Sequence, residues 1–200
     1  MPQKRTGVAP LDAFTEQLDR IVKDSTIDGR PDARTIVTAA KPHFARLVSD
    51  MSWLDDRYLV PNRAGGDTTH MLAKAPDESW TVVATIFPPR FSTPIHDHVI
   101  WGLVGVAHGV EQESRYRRLD DGSRPGHAEL EFTGQAENLP GAVMHIIPPE
   151  EEIHLIHNPS DTPSCSIHVY GGDLDTTLRH KYDLERQTVE DYLSMYTVTC

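Results

Sequence analysis

Residues 94–98 read Pro94-Ile95-His96-Asp97-His98. In an extended strand, residues i and i+2 face the same way. His96 and His98 then point together, with Asp97 on the opposite face. Two imidazoles so placed can chelate one transition metal, or can be two histidines on a polar strand face. The surrounding sequence has strand texture. Residues 80–87 (WTVVATIF) are β-branched and aromatic, and runs at 99–107, 110–116, 129–133, 143–147, 153–157 and 164–170 follow. Turns such as Gly65-Gly66-Asp67, Asp121-Gly122 and Leu139-Pro140-Gly141 separate them. Many short strands at regular spacing predict a mainly β barrel or jelly roll.

The first third differs. Leu11, Phe14, Leu18, Ile21 and Val22 recur at helical spacing, as do Ile36, Val37, Phe44, Leu47 and Val48 across residues 32–50. A turn is expected at Asp28-Gly29-Arg30-Pro31, a division or kink at Pro42, and a third short helix from Ser52. Residues 1–10 read as a frayed tail and 185–195 as a closing helix. The division expected is one structural domain: a helical segment, 1–60, packed on a barrel with a C-terminal extension, 61–200.

The 19 Lys and Arg against 30 Asp and Glu leave a formal net charge of −11, the wrong sign for a nucleic-acid surface. The longest near-apolar run, 99–107, falls far short of the roughly 20 residues of a membrane helix. Lys4 and Arg5 have no apolar stretch after them, so no ordinary secretory signal is expected. Two cysteines, Cys165 and Cys200, do not make a disulfide framework, and a cytoplasmic location is the expectation. The composition stands out in its 11 histidines.

A second segment reads Pro149-Glu150-Glu151-Glu152-Ile153-His154-Leu155-Ile156-His157-Asn158. With it, the chain resembles the cupins. His96-Asp97-His98 with Gly109 matches their first motif; Pro149, His154 and Asn158, with Gly141 nearby, match the second. The resemblance implies a double-stranded β-helix and makes His154 a third ligand beside His96 and His98. The position that usually carries a ligand Glu is Gly102. Three neutral histidines would leave a bound divalent ion its full charge and favour anionic ligands such as a thiolate.

Residues 166–170, Ser166-Ile167-His168-Val169-Tyr170, put Ser, His and Tyr on one strand face. Such a row is either catalytic or a buried hydrogen-bond chain. Together with Trp101-Gly102-Leu103-Val104-Gly105-Val106, it makes residues 57–185 resemble the thiol dioxygenases, the cysteine dioxygenase family. The resemblance implies Fe(II) on His96, His98 and His154, and a pocket lined by Ser166, His168 and Tyr170. It implies O2 and a small carboxylated thiol as substrates, with both oxygen atoms ending on sulfur as a sulfinate. Gly102 stands where the animal enzymes carry a Cys cross-linked to the Tyr, as in the bacterial members. Gly171-Gly172 departs from the animal Ser-Pro, and the stretch from Arg57 to His96 is longer than theirs.

Arg57, by itself a surface residue, matches the position that grips the substrate carboxylate. Arg there favours L-cysteine; 3-mercaptopropionate and mercaptosuccinate are also possible. The rivals are a cupin using Zn²⁺ or Mn²⁺ for lyase, isomerase or hydrolytic work, and a non-catalytic cupin that binds a small ligand. No nucleic-acid or membrane partner is expected, and the assembly is a monomer or small homo-oligomer. His157 reads as structural or exposed, His108, His127 and His180 as solvated, and His43 and His145 as core histidines. His70 is unplaced, and Glu150–Glu152 reads as a solvated turn.

Overall fold

A computed structural model describes residues 6–61 and 66–194. Helix α1 (Ala9–Asp24) and helix α2 (Ala33–Ser49) flank a small hairpin of β1 (Thr26–Ile27) and β2 (Arg30–Pro31). The hairpin turns through Asp28 and Gly29, both at positive φ. Asp32 caps α2, its side chain accepting from the Thr35 amide at 3.0 Å. Of the two outcomes expected at Pro42, division does not occur: α2 runs through it. Ala40 and Phe44 on either side are fully buried, and burying a large apolar side chain contributes about 1.5–3 kcal/mol, which offsets the lost backbone bond. The helix expected from Ser52 is a 3-10 turn at Asp56–Leu59. The tail ends earlier than expected, since Ala9 and Pro10 already belong to α1; residues 1–5 lie outside the described residues.

Eleven further strands follow: β3 (Thr68–Lys74), β4 (Thr81–Phe87), β5 (Ile95–His96), β6 (Gly102–His108), β7 (Glu111–Arg118), β8 (Leu130–Asn138), β9 (Val143–Ile146), β10 (Ile153–His157), β11 (Ser164–Tyr170), β12 (Arg179–Asp183) and β13 (Thr188–Tyr192). They form two antiparallel sheets, ordered β13-β12-β5-β10-β7-β8 and β3-β4-β11-β6-β9. This is the double-stranded β-helix of the cupins, mainly β with a helical N-terminal part.

The five-stranded sheet is covered on both faces, so β4 and β11 are buried along their whole length. Alternation sorts their side chains. Val82, Ala84, Ile86, Ile167 and Val169 pack with the helices' Phe14, Leu18, Phe44 and Val48. Val83 and Tyr170 face the other way, with Val104, Val106 and Ile146. Gly105 marks the closest approach of α2: a Cβ there would lie 2.7 Å from Val48 Cγ1 and 3.0 Å from Phe44 Cε1.

Within the described part of 185–195 there is no helix. Residues 188–192 are β13, which pairs with β12, and β12 pairs with β5 beside the first histidine motif. The physical reason is non-local: β12 is held by Tyr182↔Ile95 and Lys181↔His96, partners that no local periodicity reveals. Among the described residues, no helix is long and apolar enough to cross a membrane.

Candidate metal centre and pocket

The sheets enclose a cavity of about 70 Å3. His96, His98 and His154 line it, each at most 7% exposed, and their ligand-capable nitrogens all lie within 4.8 Å of one another. The three come from unequal sources. His96 closes β5, and His154 sits opposite it in the β5–β10 register. His98 lies past the end of β5, so it converges on the cluster by a turn and not by strand alternation. That turn contains Val99 at φ +64°, a left-handed conformation a β-branched residue rarely adopts. Glu152 holds it there: its Oε2 accepts from the amides of His98 (3.2 Å) and Val99 (2.6 Å). Glu152 is therefore not merely part of a solvated turn.

Hydrogen bonds behind two of the three histidines fix their tautomers. His96 Nδ1–H donates to the Pro94 carbonyl at 3.0 Å, leaving Nε2 with its lone pair. His154 Nδ1–H donates to Glu113 Oε1 at 2.7 Å, and Arg115 Nη2 lies 3.0 Å from the same oxygen. Burial pushes the Glu113 carboxyl up, but His154 and Arg115 together outweigh it and hold it below the usual range. His98 Nε2 and His154 Nε2 stand 3.0 Å apart. Burial above all, then the neighbouring histidines and Arg179, keep His96 and His98 well below the ordinary histidine range, hence neutral. Imidazole nitrogens converging in a buried cluster are a donor set suited to iron, zinc, copper or nickel. The three histidines can hold a metal.

Across the cavity, β11 supplies the polar row. Ser166 Oγ lies 2.8 Å from His168 Nε2, and Tyr170 OH lies 2.7 Å from His168 Nδ1. All three residues are buried. Burial, aided by the charge of neighbouring groups, holds His168 down to about 3, so it is neutral. The Tyr170 ring stacks on His98, centroids 5.3 Å apart and planes 19° apart. Tyr170 can lie so because its register partner on β6 is Gly102, where a Cβ would come within 3.1 Å of Tyr170 Cδ1.

Arg57 is not brought to this cavity. Its side chain is 68% exposed, with Nε 3.7 Å from Asp55 Oδ1 and the guanidinium 5.0 Å from the Tyr58 ring centroid. Among the described residues, the cation lining the cavity is Arg179, 3% exposed at the start of β12. It donates from Nη1 to the Asp97 carbonyl (3.3 Å) and from Nη2 to Ser194 Oγ, and it lies over the Tyr192 ring. Its Nε is buried without a partner among the described residues. Asp97, between the two histidine ligands in sequence, faces away from the cluster as expected. Its carboxylate accepts from Tyr182 OH and His180 Nδ1, each at 2.7 Å. His180 is thus a bonded partner of Asp97 as well as a side chain 39% exposed to solvent. His70 packs edge-on against Tyr58 outside the cavity, and His157 donates from Nδ1 to the Phe91 carbonyl at 3.1 Å. His145 pairs with Glu151 near the surface instead of entering a core.

No family model matches the chain. Among solved structures, several of its neighbours are described as cupins. It is similar to a Thermus thermophilus protein (15% identity, 59% of this chain and 94% of that one, TM-score 0.43). It is similar to a cupin superfamily sugar phosphate isomerase from Silicibacter pomeroyi (15% identity, 64% and 77%, TM-score 0.40). It also matches an oxalate oxidase bound to glycolate (16% identity, 62% and 64%, TM-score 0.42). The cupin architecture of this chain rests on its own strand order and on the histidines placed between its two sheets.

Proposed function

We propose that the chain is a thiol dioxygenase, adding both atoms of O2 to the sulfur of a small carboxylated thiol. The observation that carries this reading is the shared cavity: a carboxylate-free trio of histidines, a buried guanidinium and a tyrosine hydroxyl face one space.

Fe(II) on His96, His98 and His154 would supply the redox chemistry that joins O2 to a thiolate. The protein's own residues do the rest. Arg179, not Arg57, binds the substrate carboxylate, its unpartnered Nε–H and forked geometry matching a planar anion. Carboxylate pairing at one end and sulfur at the histidine end fix the substrate in one orientation. Tyr170, held by His168, presents its hydroxyl beside His98, where it hydrogen-bonds the reacting groups. The reaction balances as RS⁻ + O2 → RSO2⁻: sulfur loses four electrons, O2 gains them, and two S–O bonds replace one O–O bond.

The test is oxygen uptake by Fe(II)-loaded protein with L-cysteine, 3-mercaptopropionate, mercaptosuccinate and cysteamine, with products weighed by mass spectrometry. The expected result is uptake with a carboxylated thiol and a product heavier by two oxygens. Iron bound without thiol-dependent uptake would overturn the reading and favour non-oxidative metal chemistry, for which three imidazoles on Zn²⁺ are equally suited.

A further inference from the structure

Glu111 is the most deeply buried carboxyl of the described chain, 0% exposed, and neither of its oxygens completes a hydrogen bond among the described residues. Alternation along β7 puts it on the same face as Glu113, which points to His154. Its carboxyl faces the hydroxyls of Ser164 and Ser166 on β11. Ser164 Oγ and Nδ2 of Asn138, the register partner of Glu111 on β8, are likewise buried without partners. Polar groups left so in a barrel interior are costly unless they serve a function.

We propose that Glu111 is a positioning residue that sets the polarity of the Ser166–His168–Tyr170 row: a hydrogen bond between its carboxyl and the Ser166 hydroxyl fixes the direction in which the row donates. The bond requires the carboxyl to turn about its last torsion, which is broad and two-fold for a glutamate. A protonated Glu111 donates to Ser166 Oγ. Ser166 then donates to His168 Nε2, and His168 carries its proton on Nδ1 and donates to the Tyr170 oxygen. The Tyr170 proton is thereby directed away from His168, toward the cavity. An ionised Glu111 reverses every bond: Ser166 donates to it, His168 holds its proton on Nε2, and Tyr170 donates to Nδ1 and presents lone pairs to the cavity. No proton leaves the row in either arrangement beyond the one on Glu111. Glu111 thus does for the tyrosine row what Glu113 does for His154, choosing a tautomer from outside the pocket.

Burial pushes Glu111 up to about 8, against the pull of the two serines. The titratable and polar groups around it do not titrate there. Glu113 on its own strand is held down, the Cys165 thiol on β11 is pushed up by burial, Asn138 on β8 is neutral, and His168 is held at about 3.

The inference rests on the thiol reading only for its chemical use; the polarity itself is measured on metal-free protein. Ring-15N histidine labelling reports which His168 nitrogen bears the proton, with the signal assigned by its loss in His168→Gln. Well below pH 8, Nδ1 is expected to be pyrrole-type and Nε2 pyridine-type, and the two exchange character as pH rises through the Glu111 transition. Glu111→Gln, whose amide N–H can donate to Ser166 at any pH, is expected to hold the Nδ1–H form throughout. Ser166→Ala is expected to uncouple His168 from pH. A tautomer that ignores pH in the unaltered protein, or a transition that survives in Glu111→Gln or Ser166→Ala, overturns the proposal. Oxygen uptake fails or succeeds separately.

Discussion

Glu113 Oε1 stands 2.7 Å from His154 Nδ1, with both side chains 4% exposed. A carboxylate behind a ligating histidine raises its basicity and locks its ring. Glu113→Gln can still accept a hydrogen bond but carries no charge. It is expected to weaken metal binding by about 10- to 100-fold while leaving the circular dichroism spectrum unchanged. Calorimetric titration with Fe(II) or Zn²⁺ measures this directly.

His96→Ala removes a ligand outright. The protein should fold, because the backbone pairing of residue 96 with His154 and Lys181 does not depend on the imidazole, and should retain no stoichiometric metal by elemental analysis after dialysis. Retention of a full equivalent would mean that the ion binds elsewhere.

The two arginines separate by kinetics. Arg57→Ala is expected to leave KM for a carboxylated thiol unchanged, since the side chain lies outside the cavity. Arg179→Lys keeps charge but loses the fork, and is expected to raise KM by at least tenfold, equivalent to about 1.4 kcal/mol. The reverse pattern would return the carboxylate to Arg57.

Tyr170→Phe should keep the metal and slow turnover, because the ring still stacks on His98 while the hydroxyl is gone. Undiminished kcat in that variant would leave the hydroxyl without a part in the reaction.

Stability should also carry the mark of Glu111. Its folded-state value is raised from 4.5 to about 8, so between those limits the folded chain keeps a proton that the unfolded chain has released. Stability then falls as pH rises through that window, by up to about 1.4 kcal/mol per pH unit for one proton. A glutamine side chain has no such proton. Glu111→Gln is therefore expected to gain on the unaltered protein from pH 5 to pH 8 in urea denaturation. A gap that does not change with pH would mean an ionised Glu111.

The barrel was legible because period-two runs such as 80–87 and 164–170 are local signals, and the Ser166, His168 and Tyr170 face follows from the same alternation. His96 and His98 were found through strand geometry, although the strand ends at His96 and a turn does the rest. Arg179 was hidden: Leu178-Arg179-His180-Lys181 reads as a solvated run, and only pairing of β12 with β5 buries it. Glu111 and Glu113 did leave a trace. Two acids two residues apart in a strand must share a face, and the buried side of a barrel is one of the two choices. Sequence alone does not say which face, since that depends on where β10 and β11 lie.

Val99 carries a different kind of consequence. Its left-handed backbone costs roughly 1–2 kcal/mol relative to glycine, while a glycine would lose about 0.5–1 kcal/mol through the freedom of the unfolded chain. The two nearly cancel, so Val99→Gly should barely move the melting temperature. The joint that carries His98 would nonetheless be slack. A survey of variants by thermal stability would score this position as neutral, although it governs how stiffly one of the three histidines is mounted.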